Sequence, residues 1–189
     1  MNRLHQTDPS QSTGKTKELF DVVQARLGKV PNLMRVFANS PAAFEAYLNF
    51  SGALLRGGLP AKLRESIALA VGEINGCGYC LSAHTLSSGK VGLSQEDILA
   101  ARRSSAADPK FDAALKLARA IALQRGHISD AELRHARSAG LNDAEIVEII
   151  QHVALNTLTN YTNNVARTVL DFPEVKPGEL EPAPVTAAA

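Results

Sequence analysis

The stretch ESIALAVGEINGCGYCLSAH, residues 65–84, holds both cysteines of the chain, Cys77 and Cys80, with His84 four residues after the second. Upstream, Leu63, Ile67, Ala70, Val71 and Ile74 recur at helical spacing,. Asn75 and Gly76 interrupt that run, and a new helix is expected from Gly78 onward. On a helix, positions 77, 80 and 84 fall on one face, because i, i+3 and i+7 align. Cys77 then sits at or near a helix N-terminus and Cys80 in the first turn. Unpaired backbone N–H groups and the positive end of the helix dipole stabilise a thiolate there.

Outward from this segment, the chain reads as helix throughout. Prolines fall at 9, 31, 41, 60 and 109 and then only from 173 onward. The long proline-free stretches between them are rich in Ala and Leu, and a proline inside a helix costs about 3 kcal/mol. Pro41, preceded by Ser40, and Pro60 stand where a helix accepts proline, at its first position. Ser94 with Asp97, Ser129 with Glu132 and Asn142 with Glu145 resemble capping boxes, and Gly92 and Gly140 are placed to end the preceding helices. Helices are expected at 16–27, 41–56, 60–75, 78–90, 94–103, 109–125, 129–139 and 142–170, the last broken near Asn156. No period-2 strand pattern stands out. Residues 1–14 read as a mobile N-terminus, 15–172 as one helical domain, and 173–189 as a Pro/Ala-rich tail that is ordered only where it packs on something.

Composition narrows the function classes. The 189 residues carry 20 Lys+Arg against 19 Asp+Glu, a net charge of +1. That balance offers no basic excess for nucleic acid. With 45% hydrophobic and 21% charged residues the chain is globular in type,. No apolar run approaches the length of a membrane span, and the first residues lack the apolar core of a secretory signal. Two cysteines make no secreted-type disulfide scaffold. A cytoplasmic protein is expected.

The chemistry rests on the Cys-x-x-Cys pair. A thiol of pKa about 8.5 is only some 3% thiolate at neutral pH. Lowering the pKa by about two units makes thiolate dominant, but a Brønsted slope of about 0.4–0.5 leaves a net gain of only about threefold. A positioned proton donor adds about 10²–10⁴, so the sulfurs need an acid/base relay. His84 is one turn from Cys80. Periodicity offers Glu65 at the border of the apolar face and Glu73 nearer in sequence, and does not decide between them. Other readings of the pair are buried core thiols, a zinc site with His84 completed by Glu65 or a second copy, or a redox switch that changes assembly with little turnover. His152, among Ile150, Val153 and Leu155, reads as a packing or interface histidine. The polar NTLTNYTNN run, 156–164, reads as a seam between subunits in preference to a substrate pocket, and Arg102 as part of a solvated helix face.

The segment resembles the alkylhydroperoxidase D-like core of the carboxymuconolactone decarboxylase superfamily. That core has a Glu, eleven residues, Cys-x-x-Cys, three residues and a His, and Glu65, Cys77, Cys80 and His84 match it at every position. The resemblance covers about residues 60–90, with a looser likeness to peroxidase-related members in LTNYTNNVARTVLDFP. It implies an all-α fold, a multi-helix orthogonal bundle that assembles as a homo-oligomer and uses no metal or organic cofactor. It implies reduction of a hydroperoxide, or of a disulfide substrate, with electrons from a thiol reductant or reductase partner. Cys80 would attack and pass through a sulfenic acid, Cys77 would donate a proton and close the disulfide, and Glu65 and His84 would relay protons. The decarboxylase branch lacks this redox pair. One departure is Tyr79, an auxiliary candidate, where the best-known pattern has a second relay histidine; a phenol of pKa about 10 shuttles protons poorly at neutral pH.

Overall fold

Side-chain caps set where the helices begin. The structure, a computed structural model, describes residues 2–180; the remainder of the expected tail, 181–189, lies outside the described residues. A 3₁₀ turn, Pro9–Gln11, precedes α1 (Gly14–Leu27), α2 (Asn32–Phe37), α3 (Pro41–Leu54), α4 (Ala61–Ile74), α5 (Gly78–Lys90), α6 (Gln95–Arg102), α7 (Pro109–Gln124), α8 (Asp130–Ser138) and α9 (Asp143–Ala166). No strand occurs among the described residues. The three expected capping boxes are all reciprocal, at Ser94/Asp97, Ser129/Glu132 and Asn142/Glu145. Gly92 and Gly140 take the left-handed backbone, at φ 82° and 93°, that ends α5 and α8 at low cost,.

α4 is apolar around most of its circumference and therefore central. Its Ile67, Leu69, Ala70 and Val71 are fully buried among α5, α6, α7 and α9. A second apolar cluster joins α1, α2 and α3 through Phe20, Leu33, Met34, Phe37 and Phe44, and it also contains Cys77, Tyr79 and Cys80. The cysteines thus stand where the α1–α3 cluster meets the α4 core.

Four expectations change. The helix α2 was not expected; at six residues it is too short to show a period, and Pro31 at its N-cap was the only local sign. The break expected near Asn156 does not occur, because the Asn156 amide donates to the His152 carbonyl at 2.8 Å and satisfies itself within α9,. That helix ends at Arg167 in a left-handed conformation, φ 49°, earlier than expected. Arg102 is not on a solvated face: at 5% exposure it pairs with Glu73 at 2.8 Å and donates to the Lys176 carbonyl at 2.8 Å.

The last described residues lie against α5 and α6. The Val175 N–H donates to Ser82 Oγ at 2.9 Å and the Gly178 N–H to Glu73 Oε1 at 2.6 Å. Glu73 therefore holds both Arg102 and this segment. Glu73→Ala leaves a buried guanidinium without its counter-charge and is expected to cost about 3–5 kcal/mol in chemical denaturation. At the other end, the Arg3 N–H donates to the Ala166 carbonyl at 2.7 Å and the Thr7 N–H to the Arg35 carbonyl at 3.0 Å. Along α9, Val147, Ile150, Leu158, Tyr161 and Val165 form an apolar stripe that is 40–61% exposed.

Candidate active site

Gly76, in the left-handed conformation at φ 60°, turns the chain from α4 into α5. Cys77 becomes the N-cap of α5, and its sulfur accepts the Cys80 N–H at 3.3 Å. This brings the two sulfurs to 2.7 Å of each other, as free thiols. The Cys77 S–H donates to the Cys80 sulfur, which also accepts from the Asn163 amide at 3.2 Å. Both donors favour a thiolate on Cys80 and keep the proton on Cys77. The Cys77 hydrogen bond accordingly holds the Cys80 pKa far below the thiol range, at about 6, against the opposing effect of burial and with help from His84 and Asn163. The Cys77 thiol is pushed strongly upward, chiefly by that shared proton and by burial.

His84 and Glu65 meet on the other side of Cys80. His84 Nδ1 lies 2.8 Å from Glu65 Oε2. Burial works against the imidazolium, but the facing carboxylate more than offsets it, so the His84 pKa lies above its usual value, with Cys80 adding to the rise. With Glu65 ionised, Nδ1 carries the hydrogen in this bond and Nε2 is the nitrogen left for exchange with the sulfur side. The Glu65/Glu73 question is thereby answered: Glu65 faces His84, while Glu73 belongs to the Arg102 pair.

Tyr79 is adjacent in sequence but differently employed. Its hydroxyl donates to Asp171 Oδ1 at 2.7 Å and accepts the Leu33 N–H at 3.1 Å. Burial and then the Asp171 carboxylate push its pKa strongly upward. The phenol therefore ties α2 and the chain after α9 to α5. Its ring meets Phe172 edge-on at 5.4 Å.

A cavity of about 220 Å³ opens over Cys80 and His84, with Leu33, Met34, Tyr79 and Phe172 among its walls and Lys29 and Lys90 among its lining. Cys80 lines it and Cys77 does not; Cys77 is fully buried. Of the sequence candidates, Glu65, Cys77, Cys80 and His84 are thus brought together, and Tyr79 contributes a wall. Asn163 was missed. The 156–164 run was assigned to a seam, but α9 divides it: Asn156, Thr159, Asn160 and Asn163 are buried and Leu158 and Tyr161 point outward. Amides at 156, 160 and 163, spaced i, i+4, i+7 opposite an apolar stripe, were the available signal. Asn163→Ala removes a donor to the anionic sulfur and is expected to raise the Cys80 pKa by about one unit, some 1.4 kcal/mol, followed by thiolate absorbance against pH. Among the described residues no group of three or more His, Cys, Asp or Glu side chains is arranged to hold a metal ion, and no helix is long and apolar enough to cross a membrane.

Residues 41–123, which include Glu65, Cys77, Cys80 and His84, match the model of the carboxymuconolactone decarboxylase family. No curated protein matches the chain. Among solved structures, an uncharacterized peroxidase-related protein from Silicibacter sp. TM1040 superposes with a TM-score of 0.76 at 23% identity, covering 95% of this chain and 94% of its own. An uncharacterized peroxidase-related protein from Ralstonia eutropha JMP134, described as an alkylhydroperoxidase AhpD core, gives 0.79 at 23% identity over 90% and 92%. The debrominase Bmp8 in complex with 2,3,4-tribromopyrrole gives 0.72 at 18% identity over 83% and 86%. At these identities the likeness is one of fold.

Proposed function

We propose that this chain, whose residues 41–123 match the model of the carboxymuconolactone decarboxylase family, reduces organic hydroperoxides through a dithiol/disulfide cycle of Cys77 and Cys80. The observation that carries this reading is the pair of sulfurs sharing one proton at 2.7 Å, with Cys80 on the floor of an apolar cavity beside the His84–Glu65 pair.

The Cys80 thiolate attacks the distal oxygen of ROOH. The O–O bond breaks, Cys80 becomes a sulfenic acid, and the His84 imidazolium protonates the departing alkoxide to ROH. Cys77 then attacks the Cys80 sulfur. The S–O bond breaks as the S–S bond forms, and the Cys77 proton leaves with the hydroxide as water. The sulfurs have lost two electrons and the peroxide has gained them. A dithiol reductant restores the pair by thiol–disulfide exchange. These steps draw on no metal or organic cofactor. The apolar walls favour a hydroperoxide with a hydrocarbon body. A homo-oligomer formed along the exposed α9 stripe and a cytoplasmic setting belong to the same reading.

The test mixes reduced protein with an equimolar organic hydroperoxide. The expected result is one alcohol formed and both thiols lost, with Cys77 and Cys80 joined in a peptide map. Peroxide left unconsumed, or thiols lost without alcohol, overturns the proposal. Size-exclusion runs of reduced and oxidised protein address the switch reading: a redox-dependent change of assembly without turnover supports the switch instead.

A further inference from the structure

His84 stands in a wall between two cavities. The first is the one over Cys80. The second, of about 130 Å³, lies on the far side and is lined by Glu65, His84, Arg64, Tyr47 and His152; it reaches the surface beside Leu55, which is 56% exposed. Glu65 lines only the second. The carboxylate is therefore approached from behind, not from the side where substrate enters. His152, from α9, is only 5% exposed, and its Nε2 has no hydrogen-bond partner among the described residues. Buried polar groups of this kind are ordinarily satisfied. Of the packing and interface roles the sequence offered, packing leaves that nitrogen unexplained.

We propose that the second cavity is a proton port for the thiol site, and that His152 is the positioning residue that passes protons between solvent and Glu65. The inference rests on the peroxidase reading and adds the route by which its protons are replaced. One oxidation converts the thiolate–imidazolium pair and the Cys77 thiol into a disulfide, neutral His84, ROH and water. Re-reduction by a dithiol that attacks as its thiolate, having given a proton to solvent, requires a proton to return to the site. That proton must arrive while the reductant covers the first cavity. The second cavity has space for several waters, and Glu65 Oε2 is already engaged by His84.

The groups around His152 suit a relay. Glu65 and Arg64 face it from α4, Tyr47 from α3, His84 from α5 and Glu148 from its own helix. Burial and then Arg64 lower its pKa, so it is neutral near pH 7. A neutral imidazole has one donor and one acceptor nitrogen, which allows it to take a proton on one side and release one on the other.

The experiment uses the full chain and follows the two half-reactions separately by stopped flow, with an organic hydroperoxide for oxidation and dithiothreitol for re-reduction. His152→Ala is expected to slow re-reduction by about tenfold or more above neutral pH, with a far smaller change in the oxidation burst, and added imidazole is expected to restore it. Ser51→Phe, at a half-buried position lining the same cavity, is expected to slow re-reduction without rescue by imidazole. Re-reduction unchanged in both variants overturns the port. So does a defect in His152→Ala that imidazole leaves untouched, since that marks packing alone. Failure of the peroxidase reading is distinguishable, because it removes the oxidation burst from the unaltered protein.

Discussion

Cys80→Ser is expected to reduce hydroperoxide consumption to the buffer rate, a loss of at least about 10⁴-fold, because no other thiol lines the cavity,. The asymmetry between the cysteines gives the prediction its force. Cys80 lines the cavity, and Cys77 is fully buried behind it. Cys77→Ala is therefore expected to retain a single slow turnover and then stop, with the Cys80 sulfenic acid trappable by dimedone. The turnover is slow because the variant loses the S–H donor that chiefly depresses the Cys80 pKa. Peroxide consumption and dimedone adducts measured on the two variants decide the matter. Multiple turnovers by Cys80→Ser with a dithiol, or a dimedone adduct at Cys77 in that variant, reverse the assignment.

The second large effect is at Glu65. Glu65→Gln keeps a group of similar size beside His84 but removes the negative charge that raises the imidazole pKa against burial. His84 is then neutral at pH 7 and has no proton for the departing alkoxide, and the rate is expected to fall about 10²–10⁴-fold. The pH profile carries the sign. Activity in the unaltered protein requires Cys80 deprotonated and His84 protonated. It falls as pH drops through the lowered Cys80 pKa, at about 6, and falls again as pH rises through the raised His84 pKa. Glu65→Gln moves the alkaline limb to lower pH and leaves the acid limb to Cys80. A Glu65→Gln rate within threefold of the unaltered protein, or an unmoved alkaline limb, removes Glu65 from the relay.

The helices were legible wherever a local signal fixes an end. Reciprocal caps at Ser94, Ser129 and Asn142, and positive-φ glycines at 92 and 140, act within a few residues. The Cys77–Cys80–His84 face was legible because it spans two turns of one helix. Glu65 was only half legible: periodicity placed it at the edge of the buried face, but its partner is on another helix, 19 residues on. Asn163 and Asp171 lie 83 and 92 residues beyond Cys80 and Tyr79, and their roles arise from docking α9 and the chain after it, which no local pattern records. Arg102 was misread for the same reason: its carboxylate and its carbonyl partner both come from distant segments.

The order in which the polypeptide leaves the ribosome has a consequence here. Domains assemble from the N-terminal side as they are made, yet the amide that acts on Cys80 is synthesised 83 residues after it, and the Phe172 wall later still. A nascent or prematurely terminated polypeptide ending before α9 carries Cys77 and Cys80 without that amide and without that wall. The share of Cys80's raised acidity that Asn163 supplies, and the Phe172 wall that covers the sulfur, therefore arise only with near-complete translation, whereas the larger share, from Cys77, is local.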